Sequence, residues 1–205
     1  VQVADEVAEQ YVVASPFVSA GVVAERVFTW PEASFITLHF SDFNLAAGDV
    51  LEISSPDGTY SHTYTGKGKV VRRGAQVLST FWARRIPGDT AILRLRSTGS
   101  TPPGYGFAID KWTHGYPEGD LLQLLPNGAE TDIEAICSVD DKEWAPCYTG
   151  TEMYNKARAV ARLFINGSGA CTGWLLGTNG HLMTNNHCIS TQSDADNTEY
   201  EFMAE

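Results

Sequence analysis

The sequence is poor in basic residues and has no long apolar run. Lysine and arginine together number 14 against 25 aspartates and glutamates, so the formal net charge is −11. Nucleic acid backbones are bound by clustered cationic side chains, and anionic membrane surfaces repel an acidic protein. No apolar stretch reaches the roughly 20 residues that a helix needs to cross a bilayer. We therefore expect neither a nucleic acid nor a membrane among the partners.

Cysteine is absent from the first part of the chain, and Cys137, Cys147, Cys171 and Cys188 all follow residue 136. An even number of clustered cysteines favours disulfides, which form in secreted proteins. The chain begins Val-Gln-Val-Ala, without a methionine or a basic and then apolar leader, so we expect a mature chain whose signal peptide, if any, has been removed. The Asn-Gly-Ser glycosylation pattern at Asn166 adds minor support. The sequence therefore predicts a secreted protein.

A zinc site built from Cys171, His181, His187 and Cys188 is the alternative use of these cysteines. No Cys-Xaa-Xaa-Cys pair is present in the sequence, and the adjacency of His187 and Cys188 fits tetrahedral chelation poorly. We therefore favour disulfides over zinc, and we expect no metal ion and no cofactor.

Residues 17–111 alternate short runs rich in Val, Ile, Phe, Tyr and Thr with turn signals, as half-buried strands do. Ile36, Leu38 and Phe40 share one face of such an alternating run. The tetrapeptide Ser-Pro-Asp-Gly that starts at Ser55 is a strong turn signal, because proline presets φ and glycine accepts a positive φ. Roughly six or seven short strands joined by such turns predict an all-β fold class and a β-sandwich.

Four phrases in this region resemble a CUB domain in the same order: I-T-L-H-F-S-D-F-N-L from Ile36, G-D-V-L-E-I from Gly48, A-I-L-R-L from Ala91 and G-Y-G-F-A-I from Gly104. The resemblance implies a CUB-like β-sandwich over residues 16–112 that binds a protein or a glycan. Calcium-binding CUB domains have an acidic residue at the position of Asp49, which makes Asp49 a weak calcium candidate. The chain departs from the family in two ways, since this region has no cysteine and the loop at 97–103 has no acid.

The most informative stretch runs from Cys171 to Cys188 and reads C-T-G-W-L-L-G-T-N-G-H-L-M-T-N-N-H-C. It resembles the histidine strand pair of trypsin-like serine peptidases of the chymotrypsin fold, in particular the lysyl-endopeptidase-like ones. The resemblance implies that residues 151–205 are the opening strands of a chymotrypsin-like β-barrel, which is incomplete in this chain. It also implies that His187 is the general base and that a disulfide between Cys171 and Cys188 clamps its loop.

Residues 113–150 are rich in loop signals, and we interpret them as a connector. Its cysteines, Cys137 and Cys147, either pair with each other or, as the peptidase resemblance implies, have partners in the barrel. The sequence thus divides into a lead-in at 1–15, the CUB-like sandwich at 16–112, the connector at 113–150 and the N-terminal part of a peptidase domain at 151–205.

These resemblances predict a secreted serine endopeptidase that hydrolyses peptide bonds in a protein or peptide substrate by a Ser-His-Asp mechanism. The chain is then a fragment that carries only the general base His187, so we expect it to be inactive alone. The alternative is a non-catalytic secreted binding module, with a CUB-like sandwich, a protein or carbohydrate ligand and a truncated peptidase tail.

Overall fold

The computed structural model describes residues 1–71, 76–117 and 145–203, and most of these residues lie in antiparallel strands. The predicted all-β fold class is confirmed. The strands form two larger sheets that pack on each other, a two-stranded ribbon and a separate four-stranded sheet toward the end of the chain.

Eleven strands precede residue 116 in the described residues. They are β1 (Ala4–Ala14), β2 (Ala20–Thr29), β3 (Phe35–Asn44), β4 (Val50–Ser54), β5 (Ser61–Tyr64), β6 (Lys69–Val71), β7 (Gln76–Leu78), β8 (Phe81–Trp82), β9 (Ile86–Pro87), β10 (Thr90–Thr98) and β11 (Gly106–Gly115). One sheet has the order β1-β11-β3-β8, with β9 also paired to β3, and the other has the order β2-β10-β4-β5. Strands β6 and β7 pair with each other.

The two larger sheets form a β-sandwich because each strand turns one row of apolar side chains toward the other sheet. In β10, Ala91, Leu93 and Leu95 are buried, while the residues between them are more exposed. This period of two is the geometry of a strand with one buried face. Phenylalanines fill the middle of the core, and the rings of Phe40 and Phe81 stack with centroids 5.1 Å apart.

Residues 1–15, which the sequence set apart as a lead-in, are part of the sandwich. Strand β1 pairs along its length with β11 at the end of the sheet order. Before it, the N–H of Val3 donates to the carbonyl of Ser168 at 2.8 Å, and the N–H of Ala170 donates to the carbonyl of Val1 at 2.7 Å. The first residues therefore connect the sandwich to the last sheet.

The final sheet contains β12 (Val160–Ile165), β13 (Gly169–Leu176), β14 (His181–Thr184) and β15 (Thr198–Phe202), in the order β14-β13-β12-β15. A short 3-10 helix (Ala145–Tyr148) and helix α1 (Glu152–Ala157) precede it, and helix α2 (Gln192–Asp196) lies between β14 and β15. We call these four strands the terminal sheet. Within the described residues it is an open sheet and does not close into a barrel.

The turn between β12 and β13 fixes this sheet against the sandwich. Asn166 and Gly167 both have positive φ, at 50° and 77°, which suits the tight turn in which the N–H of Ser168 donates to the carbonyl of Ile165 at 3.3 Å. The carbonyl of Gly167 accepts a hydrogen bond from the hydroxyl of Thr113 at 2.8 Å. A Cβ at Gly167 would lie 2.7 Å from ring carbons of Trp82, so only glycine allows this close approach.

We expect Gly167→Ala to destabilise the protein more than Gly177→Ala, its matched control in the next hairpin turn. Both glycines have positive φ, but a Cβ at Gly177 would meet nothing within 4 Å. The control should therefore lower the free energy of unfolding by about 1 kcal/mol, through backbone strain alone. Gly167→Ala should lower it by about 1–3 kcal/mol more, because its Cβ overlaps Trp82. Urea unfolding of both variants measures the difference, and equal losses of stability would contradict the described contact.

Candidate functional site

Arg85 is the centre of the contact between the sandwich and the terminal sheet. Its guanidinium carbon lies 3.9 Å from the ring centroid of Phe164 and 5.9 Å from that of Phe35. The same guanidinium forms ion pairs with Glu201 at 2.5 Å and with Glu199 at 3.9 Å. In this position the charge of the guanidinium is paired with two carboxylates, and its flat surface packs on an aromatic ring.

Further hydrogen bonds and apolar contacts run along the same boundary. The backbone N–H of Trp82 donates to the side-chain oxygen of Asn197 at 3.0 Å, and Lys69 Nζ donates to the carbonyl of Asp196 at 3.0 Å. Phe164 also belongs to a small buried cluster with Phe35, Val3 and Ala4. The side of the terminal sheet that carries Phe164, Glu199 and Glu201 therefore packs on the sandwich.

The opposite side of the terminal sheet is apolar and only partly covered. Ala161, Leu163 and Ile165 point to this side and are buried, and the residues packed against them include Cys188 and Ile189. Farther along the strands the apolar row continues without such cover. We define the open face by its exposed and half-buried members, which are Leu175, Leu182, Ile189, Tyr200 and Phe202.

The open face borders a hollow of about 1080 Å³. Tyr200 and Phe202 are each 40% exposed there, and Leu175 is 38% exposed. Contiguous apolar side chains with this exposure are unusual on a folded surface and mark binding sites. Trp174 and Met183, which pair on the other side of the same strands, are exposed to a similar degree.

His187 lies exposed in the loop after β14, beside the disulfide that joins Cys171 and Cys188. One of its ring nitrogens lies within 4.8 Å of both sulfur atoms. Among the described residues it forms no hydrogen bond with a carboxylate or a hydroxyl. A serine peptidase needs its histidine bonded to both kinds of group. The part of the chain that the structure describes therefore places a disulfide beside His187, and it offers the ring no carboxylate or hydroxyl partner.

The acid nearest to His187 in the sequence has a structural role. Asp194 caps helix α2, where it accepts hydrogen bonds from the backbone of Thr191 at 3.0 Å and from the backbone of Ser190 at 3.3 Å. It also accepts one from Asn166 at 2.9 Å. The bonds from Asn166 and Thr191 lower the pKa of Asp194 from its usual 3.8 to about 2. Asn166, the predicted glycosylation site, is exposed at the hairpin turn. Its hydrogen bond to Asp194 links that turn to α2.

The other site residues named from the sequence are placed as follows. Asp49 is buried, and its two carboxylate oxygens accept bonds from the N–H of Thr98 at 3.0 Å and the hydroxyl of Thr101 at 2.5 Å. It thus fixes the loop that follows β10, and its calcium role stays a prediction. Cys147 is exposed on the 3-10 helix. Cys137 lies outside the described residues, so the pairing of these two cysteines also stays a prediction.

In the described part of the chain, one group has the residue types and spacing to hold a metal ion, and it consists of Cys171, His187 and Cys188. Zinc is bound by cysteine thiolates. Because the two sulfur atoms are joined in a disulfide, they do not offer thiolates to a metal. His181, the fourth residue of the zinc alternative, lies at the start of β14.

Comparison with known proteins gives one informative relative. The chain is 38% identical over 185 residues to a protein of Plasmopara viticola named Secreted RxLR effector protein 73. The aligned part is 84% of this chain and 43% of that protein, so the chain spans less than half the length of its curated relative. No protein-family model matches the chain. Among the described residues, no helix is long and apolar enough to span a membrane.

The relative corrects the function predicted from the sequence. A serine endopeptidase, with the associated assignments of hydrolase, peptidase S1 and proteolysis, is wrong, because a relative that aligns with most of this chain is an effector. The exposed position of His187 agrees with this correction, since no acid or hydroxyl orients its ring among the described residues. The prediction that the protein is secreted is confirmed.

Asp194 should make the stability of the protein depend on pH in acid. Its carboxyl has a lowered pKa in the folded chain, so its contribution is complete above 3.8 and is lost as the pH falls toward about 2. We expect the difference in unfolding free energy between the wild type and Asp194→Asn to shrink over that range. Urea unfolding at several pH values measures it.

Ser193→Ala, in the same helix, is the control for that experiment, because its side chain does not titrate. Its effect on the unfolding free energy should stay constant with pH. A pH-independent difference between the wild type and Asp194→Asn would contradict the role given to the carboxylate.

Proposed function

We propose that this protein is a secreted, non-catalytic effector that acts by binding a host protein through the open face of the terminal sheet. The similarity to a named effector supports the effector role. The Arg-Xaa-Leu-Arg pattern in that relative's name does not occur in the 205 residues of this chain, so the similarity does not rest on it.

The open face is the observation that carries the binding role. Its side chains are apolar and surround one hollow, and all but Ile189 lie on strands of a sheet whose other side is anchored to the sandwich. Burying apolar surface is worth about 25 cal/mol per Å², so a partner that covers Leu175, Tyr200 and Phe202 gains affinity without any rearrangement of the sandwich.

A protein fits this site better than a small molecule does. The terminal sheet ends at β14 on one side and at β15 on the other, and within the described residues neither strand pairs with a further strand. A partner segment in extended conformation could pair with such an edge while its side chains cover the open face. A small apolar ligand could fill the hollow but could not use the edge.

The family resemblances of the sequence concern the scaffold alone and stay predictions. A CUB-like sandwich for residues 16–112 is supported by two antiparallel sheets around one apolar core. A likeness of residues 151–205 to the opening strands of a trypsin-like peptidase is supported by the strand pair β13–β14 and its disulfide. A glycan ligand stays a prediction, since Trp82 and Trp112 are buried while Trp30 and Tyr60 are exposed.

Phe202→Glu should abolish partner binding, because it places a charge in the centre of an apolar contact. We expect proteins retained by the wild-type chain from a host extract to include a partner that Phe202→Glu retains at least about tenfold less, equal to about 1.4 kcal/mol. Quantitative mass spectrometry of the retained proteins, followed by direct titration with the purified partner, measures the loss.

Val27→Glu is the matched control, since Val27 is also an exposed apolar residue but lies in β2 of the sandwich. It should bind the partner as the wild type does. Trp174→Glu places the same charge on the other side of the terminal sheet, so it tests whether the partner binds the open face or that other side. Equal binding by Phe202→Glu and the wild type, or a dimer that buries the open face in sedimentation experiments, would contradict the proposal.

A further inference from the structure

A cleft at the boundary between the sandwich and the terminal sheet has a composition unlike the rest of the chain. It consists of two hollows, of about 300 Å³ and about 510 Å³. Lys69 and Arg84 line both hollows, so the two hollows are neighbours. We call this site the basic cleft. It lies on the side of β15 that carries Glu199, opposite the open face.

The charge in the basic cleft is positive although the chain as a whole is strongly acidic. The first hollow is lined by Lys69, Arg84 and Arg85 against one acid, Glu199. The second hollow is lined by Lys69, Arg84 and His62, with no acid. Because the whole chain has a net charge of −11, a cluster of cations in one cleft is a local exception. Such a concentration of one sign attracts ligands of the other.

Two of these cations lack a neutralising partner. Arg85 is paired with Glu199 and Glu201, as described above. Neither Lys69 nor Arg84 forms an ion pair with any described residue, and Lys69 Nζ donates to a backbone carbonyl. The guanidinium of Arg84 and part of the ammonium of Lys69 are thus available to an anion.

The hydroxyl of a tyrosine adds a third donor. Tyr64 lines the second hollow, and its oxygen accepts the backbone N–H of Arg84 at 2.7 Å, which leaves its own proton available to a ligand. Burial raises the pKa of Tyr64 to about 12, so the phenol keeps that proton at neutral pH. Burial also lowers the pKa of Lys69 and, together with Arg84, that of His62, while the nearby carboxylate of Glu199 acts in the opposite direction on both groups.

We propose that the basic cleft binds a tetrahedral oxyanion, phosphate or sulfate, between Lys69, Arg84 and the hydroxyl of Tyr64. Guanidinium and ammonium groups form strong, charge-assisted hydrogen bonds with such anions. Several donors on different strands suit a group whose oxygens point in several directions. The three proposed anion donors do not line the open face, so the proposal is independent of the proposed function.

Titration with sodium phosphate and sodium sulfate at constant ionic strength tests the site, with chloride as the reference anion. Calorimetry should show saturable binding to the wild type, and the ring resonances of His62 should shift in NMR spectra. Arg84→Gln should weaken binding about tenfold or more, because it removes charge-assisted hydrogen bonds. Lys69→Gln is the second variant. Intrinsic tryptophan fluorescence checks that both variants are folded.

Lys67→Gln is the control, because Lys67 is an exposed neighbour that lines neither hollow. It should bind phosphate as the wild type does. A third titration, with phenyl phosphate, distinguishes a free anion from a phosphoryl group on a larger molecule, and binding of either supports the site. No saturable binding, an unchanged affinity in Arg84→Gln, or an equal loss in Lys67→Gln would overturn the proposal.

Discussion

The ion pairs and ring contacts of Arg85 hold the two parts of this protein together. Its side chain is only 15% exposed, so its charge must be neutralised within the protein. Glu199 and Glu201 provide the opposite charges. Loss of one of these carboxylates leaves the half-buried guanidinium with less of its charge neutralised, which destabilises the contact. Phe164 supplies a ring face for the same guanidinium. One side chain thus connects the sandwich to both β12 and β15.

This anchoring decides which surfaces of the terminal sheet are available. Strand side chains alternate between two sides, so Glu199 and Glu201 turn toward Arg85 while Tyr200 and Phe202 turn away from it. The same alternation places the basic cleft on the anchored side and the open face on the other. A single strand, β15, therefore contributes to two distinct candidate sites of opposite chemical character.

The sequence pattern predicted the all-β class and the strands of the sandwich, because burial with a period of two is a local property of strands such as β10. It did not predict the partners of Arg85 or the loop that Asp49 fixes, since those contacts join residues far apart in the chain. The phrase around His187 resembled a catalytic one. Its chemistry depends on partners that are absent among the described residues, and the similarity to an effector overturned the predicted activity.

The central claim is that the anchored terminal sheet presents the open face to a partner protein. Hydrogen–deuterium exchange of the protein alone and in complex with that partner tests it most directly. The account predicts that binding slows exchange in Thr198–Phe202 and His181–Thr184 and leaves Ala20–Thr29 of the sandwich unchanged. Slower exchange confined to the sandwich, with the terminal sheet unaffected, would contradict it.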